Sequence, residues 1–132
     1  MPPLPLPQEL DELLARPNPA VVATVRRDGS PHTAATWYDW RNGRILLNMD
    51  ESRARLQHMR ANPEIALTVF DGVDWYRHVT LFGRVVSIEP DVDLRDIDQL
   101  ALRYDGEAFA TRDHGRFSAW MQPTRWTSWP LP

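Results

Sequence analysis

The fold is decided by Trp75-Tyr-Arg-His-Val-Thr-Leu-Phe-Gly-Arg-Val-Val-Ser-Ile-Glu89. This run is rich in β-branched and aromatic residues, and it is long for a single strand. Gly83 near its middle is where a bulge or bend of the kind that closes barrels is expected. Working outward, Glu64 to Phe70 alternates Ile65, Leu67 and Val69 against Ala66, Thr68 and Phe70, the mark of a strand buried on both sides, and Asp71-Gly72 turns it. Earlier still, a meander of three strands is predicted: Ala20 to Arg26, Pro31 to Trp40 and Ile45 to Met49, joined by turns at Asp28-Gly29 and Asn42-Gly43. A short helix over Gln8 to Arg16 precedes them, with Leu10, Leu13 and Leu14 on one face and Pro17 and Pro19 stopping it, and residues 1–7 form a flexible proline-rich start. Past Glu89, an amphipathic helix spans Val92 to Tyr104, Asp105-Gly106 ends it, Glu107 to Gly115 is a loop and Arg116 to Gln122 a last strand. The tail from Pro123 to Pro132 holds Trp126 and Trp129. The expectation is a mainly β domain over residues 1–132, with six antiparallel strands and short helices closed into a small barrel.

Composition narrows the chemistry. With 132 residues and 42% hydrophobic content the chain can bury a proper core as one domain. It has no cysteine, which removes disulfides, thiolate catalysis and cysteine-ligated zinc and fits a cytoplasmic protein. All fifteen basic residues are arginine, so neither a Schiff-base lysine nor a Walker-type phosphate lysine exists. Eighteen acidic residues are interleaved with the arginines, and the net charge of −3 gives no reason to expect nucleic acid. No apolar run reaches the roughly 18 residues of a membrane span.

Asn48-Met-Asp-Glu-Ser-Arg-Ala-Arg-Leu-Gln-His-Met-Arg-Ala-Asn-Pro63 carries the clearest functional signal. An apolar strand runs into a helix that Asp50 or Ser52 can cap, Leu56 and Met59 can dock and Asn62-Pro63 ends. The free N–H groups and positive dipole of a helix start, joined by the forks of Arg53 and Arg55, outline an anion site suited to phosphate. The competing reading is a surface helix with solvated arginines. Other chemistries find little support. His32, His58, His78 and His114 are spread singly, so no metal site is expected, and the serines lie in no Gly-x-Ser-x-Gly elbow. Trp37, Tyr38, Trp40, Trp75, Tyr76 and Trp126 together with the arginines suit a flat ring with a phosphate tail, and equally suit a barrel core or a dimer interface.

Four blocks resemble the flavin/deazaflavin oxidoreductases, group B, of the split β-barrel superfamily that includes pyridoxamine 5′-phosphate oxidase. They are Val22 to His32, followed by Thr36-Trp37-Tyr38 and Ile45 to Asn48; Glu51 to Arg55 through Met59 to Pro63; Tyr76 to Val86; and Ile97 to Gly106, ending Arg-Tyr-Asp-Gly. Together they span about residues 8 to 129, and the last two are most similar to the branch that uses the deazaflavin coenzyme F420. The resemblance implies a split barrel working as a homodimer, with cofactor sites at the interface and a small-molecule substrate. It places Pro31, His32, Thr36, Trp37, Tyr38, Leu47, Asn48 and Met49 near the cofactor ring and Arg53 and Arg55 on its phosphate. Gln57 or His58 assists, Trp75, Tyr76 and Arg77 come from the partner subunit, and Trp126 lies nearby. Arg55 stands where the family usually has lysine, and His58 where it has asparagine.

The activity implied is hydride transfer between the deazaflavin and a small organic substrate, with the accompanying proton drawn from solvent, Tyr38 or His78. Two alternatives stay open: an FMN-dependent oxidase or reductase on the same fold, and a module that binds flavin or haem without turnover.

Overall fold

The computed structural model describes residues 1–130. Seven strands form one antiparallel sheet: β1 (Ala20–Val25), β2 (Pro31–Thr36), β3 (Asp39–Arg41), β4 (Arg44–Asp50), β5 (Glu64–Phe70), β6 (His78–Pro90) and β7 (Arg116–Trp129), in the order β2-β1-β5-β6-β7-β4-β3. The helices are α1 (Gln8–Ala15), α2 (Ala54–Ala61) and α3 (Arg95–Asp105).

Connectivity alone shows that the sheet is rolled. β2 and β3 are its two opposite edges, yet only Trp37 and Tyr38 separate them in the chain. Laid flat, seven strands would put those edges ~29 Å apart at the usual strand spacing. The Thr36-to-Asp39 step spans at most ~11 Å. The edges therefore meet at a corner without pairing, which makes a split barrel. The strand expected over Pro31 to Trp40 breaks here into two, giving seven strands where six were expected. The cause is Tyr38: its ring is fully buried and its hydroxyl lies 2.8 Å from the carbonyls of both Leu14 and Arg16, so the chain must leave the sheet to deliver it.

Local chemistry explains the rest. Asn42 and Gly43, both at positive φ (52° and 76°), make the two-residue hairpin between β3 and β4. In β5, Ile65, Leu67 and Val69 are buried and their alternates half-buried, so one face is core and the other is only partly covered. Gly83 permits a close approach of backbones, since a Cβ there would lie 2.1 Å from the Gln122 carbonyl oxygen and 2.7 Å from Pro123 Cα. The β6–β7 register shifts at this point and again between Val85 and Ser87. Pro123 had marked the start of a tail, but prolines are tolerated at such bulges, and β7 runs on to Trp129 with Trp126 opposite Leu81.

The N-terminal prolines are tied down rather than free. The Trp126 backbone N–H donates to the Pro2 carbonyl (3.0 Å) and its indole N–H to the Pro3 carbonyl (3.1 Å), while Leu4 and Leu6 pack on the core. Trp126 is thus a core residue beneath the N-terminus. The main core joins Leu10, Leu13 and Leu14 of α1 and Leu56 and Met59 of α2 to the inner faces of β1 and β4–β7. A second, smaller core forms where Ile97 and Leu100 of α3 cover Leu46 on the other face of β4. No helix among the described residues is long and apolar enough to cross a membrane.

Candidate functional site: an arginine-bearing aromatic cavity

Between the β2–β3 corner, the end of β4, the start of α2 and the inner face of α3 lies a cavity of about 510 Å³. Its size and aromatic lining suit a small ligand. Thr36 and Trp37 arrive from the corner, Asn48 from β4, Arg55 from α2, Tyr104 from α3 and Arg116 from β7.

Alternation along β4 sorts its residues. Ile45, Leu47 and Met49 point into the main core, whereas Leu46 and Asn48 point toward α3 and the cavity. Leu47 and Met49, expected near the ring, therefore offer no side chain to the cavity. Asn48 does, and it is held firmly: its amide donates to Asp91 (3.0 Å) and Ser118 (3.1 Å) and accepts from Arg116 Nε (2.8 Å). Asp91 in turn accepts the backbone N–H groups of Asp96 and Ile97 at 2.9 Å, anchoring the start of α3.

The helix carrying the arginines starts differently from the expectation. Neither Asp50 nor Ser52 caps it. Asp50 instead accepts the Ser52 N–H (2.9 Å) and hydroxyl, Arg53 sits at the N-cap with an extended backbone, and α2 begins at Ala54 with no side-chain cap. The Ser52 hydrogen bonds, followed by the nearby arginines, hold the Asp50 carboxyl below its usual range. The two arginines then part. Arg53 is exposed and 3.4 Å from Asp50, outside the cavity wall. Arg55 is half-buried, lines the cavity and has no hydrogen-bond or ion-pair partner among the described residues. Burial, and then the charges of Arg53 and Arg116, push its pKa down.

The aromatic wall is built from both ends of the sequence. Trp37 stacks on Tyr104 (5.3 Å, 6° between planes) and meets the edge of Phe109 at 6.2 Å. Tyr104 is fixed by donating its hydroxyl to the Asn18 carbonyl (2.7 Å). Tyr104, Phe109 and Arg116 were not foreseen as site residues. Tyr104 falls in an apolar helical stripe and in the Arg-Tyr-Asp-Gly block of the resemblance, neither of which assigns it to a site, and Phe109 sits in a loop without periodicity.

Of the remaining candidates only Thr36 reaches the cavity. Thr36 lines the cavity, but its hydroxyl donates to the Trp37 carbonyl (2.8 Å). Pro31 is exposed at the start of β2, where its carbonyl accepts from Arg26. His32 and His58 do meet, ring against ring at 5.1 Å, but on the side of β1, where His58 Nδ1 is 2.8 Å from the Thr24 hydroxyl. Tyr38 belongs to the core and does not line the cavity: its hydroxyl donates to the carbonyls of Leu14 and Arg16, and burial, then Tyr104, raises its pKa well above the usual phenol range. His78 is at the head of β6 with Nδ1 2.8 Å from the Tyr76 carbonyl oxygen, and does not line the cavity. Trp75 and Tyr76 stack on each other (4.3 Å) in the β5–β6 connection, 64% and 61% exposed, and with Arg77 they stand apart from this chain's cavity.

A family model for pyridoxamine 5′-phosphate oxidase matches residues 6–130. The chain belongs to this family. Among solved structures, one named F420 reductase is 30% identical over 92% of this chain and 98% of its own, with a TM-score of 0.85. A conserved hypothetical protein of Mycobacterium tuberculosis (20% identity, 96% and 86% coverage, TM-score 0.74) and General Stress Protein 26 of Bacillus anthracis (16%, 95% and 94%, TM-score 0.71) share the fold. No curated protein matches the chain. Pyridoxamine phosphate oxidase-like proteins are characteristically flavin-binding oxidoreductases, and the lining suits a ring-and-phosphate ligand: an aromatic wall with a guanidinium that has no partner among the described residues.

Proposed function

We propose that this protein is a coenzyme F420-dependent oxidoreductase, transferring a hydride between the deazaflavin and a small organic substrate. The observation that carries the reading is Arg55: a half-buried guanidinium without a partner among the described residues, aimed into a cavity walled by Trp37, Tyr104 and Phe109. The 30% identical relative named F420 reductase supports it.

When bound, the deazaflavin supplies the hydride chemistry. The chain's own contribution is position and exclusion of water. Arg55 holds the phosphate, as a bidentate fork can in place of a lysine. Trp37, braced from behind by Tyr104, gives a rigid flat wall, and Asn48 offers a fixed polar group. The one titratable hydroxyl of the lining, on Tyr104, is committed to the Asn18 carbonyl, so the accompanying proton comes from solvent.

The reading includes a homodimer in the cytoplasm. The exposed Trp75–Tyr76 pair is the segment that a second copy brings to the site, which accounts for two stacked aromatics left in water. The test is parallel titration of coenzyme F420 and FMN by quenching of cofactor fluorescence, with sedimentation to give the oligomeric state. Micromolar or tighter F420 binding with weaker FMN binding, on a dimer, is the expected result. The second reading, an FMN enzyme, draws on the same cavity because FMN also presents a flat ring and a phosphate, and preference for FMN would establish it.

A further inference from the structure

The cavity holds a second arginine that the phosphate site does not use. Arg116, at the first position of β7, is half-buried and lines the same wall as Arg55. Its Nε donates to Asn48 Oδ1 at 2.8 Å, and its guanidinium carbon stands 4.7 Å from the centre of the Phe109 ring. These two contacts orient the group and leave both terminal nitrogens without a hydrogen bond among the described residues. A planar fork held on its Nε edge and on one face is pre-organised to receive an oxyanion bidentately.

The charge balance points the same way. No carboxylate lines the cavity, and no acidic side chain among the described residues is within 4.0 Å of Arg55 or Arg116. The two carboxylates that act on Arg116 are engaged elsewhere: Asp50 with Ser52 and Arg53, and Asp91 with Asn48 and the first turn of α3. Two cations partly removed from water, with no carboxylate in direct contact with either, form an arrangement that a ligand anion would complete.

We infer that Arg116 is a second anion-recognising residue, and that the cavity takes a flat, apolar ligand carrying a carboxylate or phosphate on Arg116, with its ring against Trp37 and Phe109. The oxyanion belongs either to the substrate or to the cofactor. The inference rests on the same cavity as the proposed function and deepens it, but its test needs no cofactor.

The test is calorimetric titration of 2-naphthoate and of neutral 2-naphthalenemethanol into the wild type, Arg116→Gln and Arg116→Lys. A charged hydrogen bond predicts that the wild type prefers the acid about tenfold or more. Arg116→Gln loses that preference, while Arg116→Lys, which keeps the charge, retains part of it. Equal binding of acid and alcohol by the wild type, binding of neither, or an unchanged preference in Arg116→Gln overturns the inference. Equal loss in the Gln and Lys variants would mark Arg116 as a support for Asn48 alone and overturn it as well. Repeating the titration on protein saturated with coenzyme F420 separates the two sources. Persistent naphthoate binding assigns Arg116 to the substrate, and competition assigns it to the cofactor. If F420 fails to bind at all while the naphthoate preference stands, the cofactor reading falls and the anion site remains.

Discussion

Arg103→Met removes the clamp that holds the corner where the barrel's edges meet. Arg103 Nε donates to the Tyr38 carbonyl (3.0 Å), Nη1 to Ala15 (2.9 Å), and Nη2 to Leu14 (3.1 Å) and Arg16 (2.7 Å), with the Asp39 carboxylate 3.7 Å away. One guanidinium thus ties the last carbonyls of α1 to the residue that turns the chain from β2 to β3, and it lies over the Tyr38 ring at 5.1 Å. Ala15 and Arg16 are exposed, and water can replace the arginine at their carbonyls. Leu14 and Tyr38 are fully buried, and their carbonyls would lose a charged donor. At ~1.5–3 kcal/mol for each of these two bonds, the cost is roughly 3–6 kcal/mol. That is a large part of the ~5–15 kcal/mol by which a domain is stable. In urea, with a slope of ~2 kcal/mol/M, the unfolding midpoint should fall by about 2 M, with Arg103→Lys between the variant and the wild type. A fall below ~0.5 M at unchanged slope would show that apolar packing, not the arginine, holds the corner.

Tyr38→Phe should cost ~1–3 kcal/mol in the same assay through the lost carbonyl contact, while leaving F420 affinity unchanged; a loss of affinity at full stability would return Tyr38 to the site. Gly83→Ala places a methyl 2.1 Å from the Gln122 carbonyl oxygen, so either strand must shift, and the soluble yield or thermal midpoint should drop sharply; a midpoint within 2 °C of wild type, roughly the shift for a cost below 1 kcal/mol, would contradict the close approach. Burial, then His32 and Arg26, hold His58 below the ordinary imidazole pKa of about 6.5. The unfolded chain therefore takes up a proton first as pH falls, and stability declines below about pH 7 while nothing is contributed above it. Unfolding midpoints at pH 7.5 and 5.5 should differ less in His58→Gln than in the wild type, and equal differences would remove His58 from the acid response.

Alternation and turn chemistry made most of the strands legible. Ile65, Leu67 and Val69 marked a strand, although the face that alternates with them is only half-buried rather than core, and Asn42-Gly43 marked a tight hairpin. Gly83 announced the bend in β6 because a glycine inside an apolar strand has no other advantage. The corner at Trp37 and Tyr38 was not legible. Its residues are good strand formers, and what breaks the strand is a hydroxyl reaching carbonyls more than twenty positions away. The true length of β7 was hidden by Pro123, a residue that stops strands except at a bulge. Arg55 was visible as a charge at a helix start. Arg116 was not, since one arginine opening a strand looks like any other until Asn48 and Phe109 are seen beside it. Nothing local tells Arg53, which faces solvent, from Arg55, which faces the cavity.

Substituting each arginine in turn separates the two. Titrating coenzyme F420 into the wild type, Arg53→Met and Arg55→Met by fluorescence quenching should show Arg55→Met weakened by roughly 10- to 150-fold, the equivalent of ~1.5–3 kcal/mol for a charged hydrogen bond. Arg53→Met, exposed and outside the cavity wall, should lose much less. Wild-type affinity in Arg55→Met, or the larger loss in Arg53→Met, would contradict the claim that the cavity beside Arg55 is the cofactor site.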